Sequence, residues 1–226
     1  MLVMEDIVME KRNHIFIDGQ NLYLSAKRAF GLRYPDFDIP AIGRHLSNRM
    51  SPEGGADPVI KFYIGMPVAR FSPHWTNFWT NKLNAARDAG VSVTTRDLRY
   101  LTETDPAAPG GIRVLSAREK GIDLRLALDV MAAARNPDCK NIMIVSRDQD
   151  FREVVEDVEM LCAFSGRKIG LWSAFPEVRN GPSFNRGVDG TREISISWVD
   201  YKGLRDPADY RVAPARAEQD REPEPS

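Results

Sequence analysis

Four aspartates hold the chemistry this chain can offer. Asp123 lies in Lys120-Gly-Ile-Asp-Leu124, Asp148 and Asp150 follow the apolar run Ile142-Met-Ile-Val145, and Asp18 ends Ile15-Phe-Ile17. Carboxylates gathered in one place repel each other unless a cation or shared protons offset the charge. Mg²⁺ and Mn²⁺ take oxygen ligands, retain waters and bind substrate phosphates, so the pattern points to metal-dependent phosphoester hydrolysis. In that scheme Asp18, Asp123 and Asp148 hold one or two ions, and Asp150 binds a second ion or positions a water. Asn21, Lys120, Ser146 and Arg147 are candidates to contact substrate, since a guanidinium or ammonium suits a phosphate. Plainer roles stand beside these. Asp150 falls where a helix N-cap would be, Asn21 could bond backbone around the Asp18 turn, and Lys120 and Arg147 could be solvated surface residues.

The elements that must position these groups read as an α/β alternation. Ile15-Phe-Ile17 and Ile142-Met-Ile-Val145 are short, rich in β-branched residues and apolar on both faces, as buried parallel strands are. In an open parallel sheet the strand C-termini line the ligand crevice, which would bring Asp18 and Asp148 to one edge if the strands are neighbours. Helices are expected over 22–30, 40–50, 75–89 and 151–161, and strands over 59–64, 91–95, 169–172 and, half-buried at an edge, 193–199. Ser116 and Glu119 form a Ser-x-x-Glu capping box, predicting a helix from there to about Arg135. On it Asp123 lies beside the buried stripe Ile122, Leu126, Val130 and Ala133, while Asp129 is turned about 240° away and is the weaker candidate. The stretch 102–111, with two prolines and two glycines, reads as a flexible connection, and 174–190 as a mobile loop whose Arg179, Asn180 and Arg186 could touch nucleic acid.

Three blocks together resemble the NYN domains of the PIN-like nuclease superfamily, and within them the LabA-like group. They are Ile17-Asp-Gly-Gln-Asn-Leu22, similar to I-D-G-x-N-L; Lys120-Gly-Ile-Asp-Leu124 with Asp129 beyond; and Val145-Ser-Arg-Asp-Gln-Asp-Phe151, similar to S-G-D-x-D-F. Order and spacing agree over roughly residues 11–173. The resemblance implies a Rossmann-like PIN fold with a mostly parallel central sheet flanked by helices. It also implies Mg²⁺- or Mn²⁺-dependent cleavage of RNA, single-stranded or structured. One departure stands out: Arg147 replaces the glycine that precedes the first aspartate of the third block, which crowds a backbone that could otherwise approach a ligand. That substitution keeps open a second reading, a PIN-like module that binds RNA or protein partners without cutting. A phosphatase of the haloacid-dehalogenase type would need an acid two residues after Asp18, and Gln20 stands there instead.

Length and composition fit one substantial domain, taken as 11–204, between an N-terminal extension 1–10 and a Pro-, Arg- and Glu-rich disordered tail 205–226. The formal charge of −1 hides an acidic start and tail around a mildly basic middle, which permits a nucleic-acid partner without requiring one. Cys139 and Cys162 have neither paired spacing nor accompanying histidines, excluding a zinc site and suiting a reducing cytoplasm. With no basic-then-apolar leader and no membrane-length apolar run, a soluble, unsecreted protein is expected. A homo-oligomer is compatible with the sequence. The aromatics Trp75, Phe78 and Trp79 suit either base stacking or, as helices more commonly use them, a core or dimer interface.

Overall fold

The computed structural model describes residues 10–178 and 186–211. Six strands form one sheet in the order β3-β2-β1-β6-β7-β8, with every pairing parallel. They are β1 (Arg12–Asp18), β2 (Val59–Met66), β3 (Ser92–Asp97), β6 (Cys139–Val145), β7 (Gly170–Pro176) and β8 (Arg192–Ile196). The two apolar runs are the central strands and they are neighbours, Ile17 lying opposite Val145. Their side chains alternate between two cores: Ile15, Ile17, Met143 and Val145 face one, and Phe16, Ile142 and Ile144 the other. Burial on both faces is why these strands read as unbroken apolar runs.

Helices α1 (Gly19–Phe30), α2 (Ile39–Met50), α3 (Pro73–Asp88) and the short α6 (Trp198–Gly203) cover the first core. Across the sheet, α4 (Ile122–Arg135) and α5 (Phe151–Ser165) cover the second, giving an αβα sandwich of the Rossmann-like type. Trp75, Phe78 and Trp79 are buried in the first core, which removes them as a platform for bases. The chain winds outward from β1 through β2 to β3, and in the opposite direction from β6 through β7 to β8. The β1/β6 junction is therefore the topological switch point, and the crevice there opens at the carboxyl ends of both strands.

Several expectations are corrected. Residues 99–118 form a two-stranded antiparallel ribbon, β4 (Arg99–Thr104) and β5 (Ile112–Arg118), so the stretch 102–111 is partly strand and supplies the turn. Because β5 runs through Ser116, no capping box exists; α4 begins at Ile122 behind Gly121, whose φ of 79° needs no Cβ. The strand expected over 193–199 stops at Ile196, where Ser197 caps α6 and accepts from the Asp200 N–H at 3.2 Å. The chain beyond 204 stays packed as far as it is described: Arg205 Nε donates to Asp36 at 2.7 Å, and Asp206 takes the ammonium of fully buried Lys82 at 2.8 Å. The N-terminal extension through residue 9, the tail from 212, and Arg179 and Asn180 lie outside the described residues. Among the described residues no helix is long and apolar enough to cross a membrane.

Candidate active site

Asp18 is both the last residue of β1 and the N-cap of α1, a position reached because the strand turns into the helix without a loop. Gly19 makes that turn possible, since a Cβ there would lie 2.4 Å from the Phe62 ring and 2.9 Å from the Tyr63 carbonyl oxygen. The Asp18 carboxylate is 5% exposed. Its Oδ1 accepts from the Asn21 N–H at 2.9 Å, and its Oδ2 accepts from the Ser146 hydroxyl at 3.1 Å. Burial pushes its pKa up to about 7, opposed by the Asn21 N–H and reinforced by the negative charges of Asp123 and Asp148.

Ser146 joins this strand end to the next. Its buried hydroxyl donates to Asp18 and accepts from the Asp148 N–H at 3.1 Å, while Asp148 Oδ1 accepts from the Asp150 N–H at 3.0 Å. Asn21 makes a second bridge, its Oδ1 accepting from the Arg147 N–H at 3.1 Å and the Ser25 hydroxyl at 3.3 Å. Both residues, expected at the substrate, are thus engaged in clamping the β1 and β6 turns together. Asp150 occupies the N-cap position of α5 but makes no side-chain capping bond, and its carboxylate is exposed. Capping therefore does not account for it.

Asp123 stands in the first turn of α4, exposed toward the crevice, with its pKa raised by lost hydration and by the charges of Asp148 and Asp150. Glu119 completes the group and was misassigned in the sequence as half of a capping box. Its Oε2 instead accepts from the Gly65 N–H at the end of β2, at 2.7 Å. Burial, with Asp18 and Asp123 adding repulsion, lifts its pKa to about 7. The available signal was its place directly before Lys120-Gly-Ile-Asp; nothing local separates it from a cap. Asp129 lies apart. It is buried between the Tyr63 hydroxyl at 2.7 Å, Arg125 at 2.7 Å and Lys61 at 3.9 Å, and its charge is already balanced.

Lys120 is exposed beside Glu119. Arg147 is half-buried, its guanidinium over the Phe175 ring at 5.5 Å and its Nε donating to the Arg186 carbonyl at 3.3 Å. Arg186 is itself paired with Asp189. The structure thus gathers Asp18, Asp123, Asp148, Asp150 and Glu119 into one electrostatically coupled set.

The donor chemistry suits a hard divalent cation, because every group is an oxygen donor and two carboxyls are lifted to about pKa 7 by burial first and by neighbouring negative charge second, both of which a bound cation would offset. Among the described residues no three acidic, histidine or cysteine side chains close on a single point. Such an open ring fits Mg²⁺, which is usually held by one or two carboxylates and keeps several waters, better than an ion needing a full protein cage.

The NYN domain family model matches residues 12–163, about two-thirds of the chain and all five carboxylates of the set. No curated protein matches the sequence. Among solved structures, a Vibrio parahaemolyticus protein of unknown function is similar at 17% identity, over 84% of this chain and 94% of that one, with a TM-score of 0.47.

Proposed function

The chain belongs to the NYN domain family, part of the PIN-like nuclease superfamily, and from that premise we propose that it is a metal-dependent ribonuclease of the LabA-like group acting in a reducing cytoplasm. The observation that carries the reading is the coupled carboxylate set at the switch point, with Asp18 and Glu119 lifted to about pKa 7. Buried acids whose charges repel cost stability, and a cleft that retains them is a candidate for chemistry.

Asp18, Asp123 and Asp148 would hold one or two Mg²⁺ or Mn²⁺ ions, each through one or two carboxylates with water completing its shell, with Asp150 and Glu119 on the flanks. The bound cation would acidify water and offset charge on the attacking and leaving oxygens of the phosphodiester. The protein's own part is placement. Ser146 keeps one Asp18 oxygen and the Asp148 backbone in fixed relation, Asn21 fixes the turn carrying Arg147, and Gly65 orients Glu119. Lys120, exposed at the rim, is free to meet a substrate phosphate, and Arg147 lies on the opposite side over Phe175. The catalytic unit is the domain that begins at residue 11 and carries the packed 205–211 segment with it.

A second reading, RNA binding without cleavage, is favoured by Arg147 standing where the family motif has glycine. The deciding experiment incubates single-stranded and structured RNA with Mg²⁺, Mn²⁺ or EDTA, using wild type and Asp148→Asn. Cation-dependent cutting that disappears in the variant is expected. Binding with no cutting by wild type in either metal would establish the second reading and overturn the first.

A further inference from the structure

We propose that the β4–β5 ribbon and its cationic base form a track that holds a single strand of RNA and leads it over the carboxylate crevice. This inference takes its substrate class from the ribonuclease reading above and adds the surface that grips it. A two-stranded ribbon is marginally stable by itself in water, so the way this one is anchored is informative. Its base is fixed to the sheet. The Leu98 N–H donates to the Met66 carbonyl at 2.9 Å, the Val68 N–H donates to the Tyr100 hydroxyl at 3.2 Å, and the Tyr100 and Phe71 rings lie 4.4 Å apart. Beyond this base, β4 is exposed along nearly its whole length.

Strand alternation sorts the ribbon into two faces. Tyr100, opposite Ala117, turns toward the 67–71 segment, whereas Arg99, directly opposite Arg118, and Leu101, opposite Ser116, turn to the other side and are exposed apart from Ser116. Two guanidinium-bearing residues side by side on one exposed face give a phosphate chain donors to meet. Two more cations continue the row toward the acids. Arg96, exposed at the end of β3, brings its Nη1 to 3.3 Å from where a Gly121 side chain would begin, and Lys120 is the residue before it. Gly121 leads directly into Ile122 and Asp123, and Arg118 leads directly into Glu119. The cationic row therefore ends at the crevice.

Half-exposed Phe71 and Tyr100, with Arg70 over the Phe71 ring at 5.4 Å, add aromatic and guanidinium faces at the same base. A flexible single strand can set its phosphates on the cationic face of the ribbon base and turn unpaired bases onto the Arg70, Phe71 and Tyr100 side, whereas a rigid duplex would reach the row alone.

The test is binding of a labelled single-stranded oligoribonucleotide in EDTA, where cutting cannot contribute, across a range of salt. Arg96→Ala with Arg99→Ala should weaken binding tenfold or more at low salt and lower the salt slope by about 1.4, the value for two lost phosphate contacts on a single strand. Arg118→Ala with Lys120→Ala should weaken it similarly, and a duplex of equal length should bind less tightly than the single strand. Lys168→Ala with Arg192→Ala, at the opposite edge of the sheet, should change nothing. Unaltered binding by the first two variants, stronger binding of duplex, or loss only in the opposite-edge variant would each overturn the track. If metal-dependent cutting is found but the track variants bind and cut as wild type does, the track alone fails. Track-dependent binding by a chain that never cuts removes the nuclease reading and leaves the track.

Discussion

Replacing Asp18 by Asn should strengthen the metal-free protein at pH 8 while removing its response to divalent cations. The Asp18 pKa lies at about 7 in the folded chain against 3.8 for the free side chain. The folded state thus binds this proton more tightly than the unfolded state. The group's contribution is intact below pH 3.8 and is lost as pH rises through 7. By pH 8 its ionisation costs about 2–4 kcal/mol. Asparagine cannot ionise; it still accepts from the Asn21 N–H, and its amide can donate to Ser146 Oγ in place of the bond it received. The comparison between variants matters more than either curve, because buried His14 and half-buried His45, whose pKa values are lowered by lost hydration, tilt the total pH dependence the other way. Urea unfolding in EDTA at pH 5 and pH 8 should show the wild-type-minus-variant difference shifting toward the variant by about 2–4 kcal/mol at the higher pH. Mg²⁺ or Mn²⁺ at about 100 times its Kd should then stabilise wild type by about 2.7 kcal/mol and the variant little. Parallel pH curves for the two proteins, or equal stabilisation of both by the cation, would refute the reasoning.

Glu119→Gln should keep the Gly65 contact, weaken cation binding by about 10–100-fold and leave the fold intact, as read by cation titration of the melting temperature. Asp206→Ala should cost about 3–5 kcal/mol in urea unfolding, because it leaves the fully buried Lys82 ammonium unpaired, whereas Lys82→Met with Asp206→Ala should recover most of that loss. Gly19→Ala should lower stability by about 1–3 kcal/mol, since the new methyl meets the Phe62 ring and the Tyr63 backbone, and the loss should appear at every pH.

Central strands and carboxylates were legible in the sequence for one physical reason. Ile15-Phe-Ile17 and Ile142-Met-Ile-Val145 are buried on both faces, so the polar residue that ends each run marks where the sheet meets the crevice. Glu119 was not legible, because the capping-box spacing from Ser116 is a local rule and the Gly65 N–H that claims Glu119 is 54 residues away. The clamping roles of Ser146 and Asn21 were hidden for the same reason, their partners lying 128 and 126 residues distant. Ribbon strands escaped notice since Arg-Tyr-Leu-Thr-Glu-Thr has no buried face to impose alternation, and Trp198 mimicked a strand residue until Ser197 and Asp200 turned the chain into a helix.

The Ser146 hydroxyl between Asp18 and Asp148 also sets an order of assembly. During synthesis β1 can pair with β2 as soon as both exist, yet its other edge stays bare until β6 arrives. A chain interrupted anywhere before residue 146 displays Asp18 without its partner oxygen and without the third block. Truncated products and nascent chains would therefore carry half a centre. The proposed activity would be confined to molecules whose first and sixth strands have met.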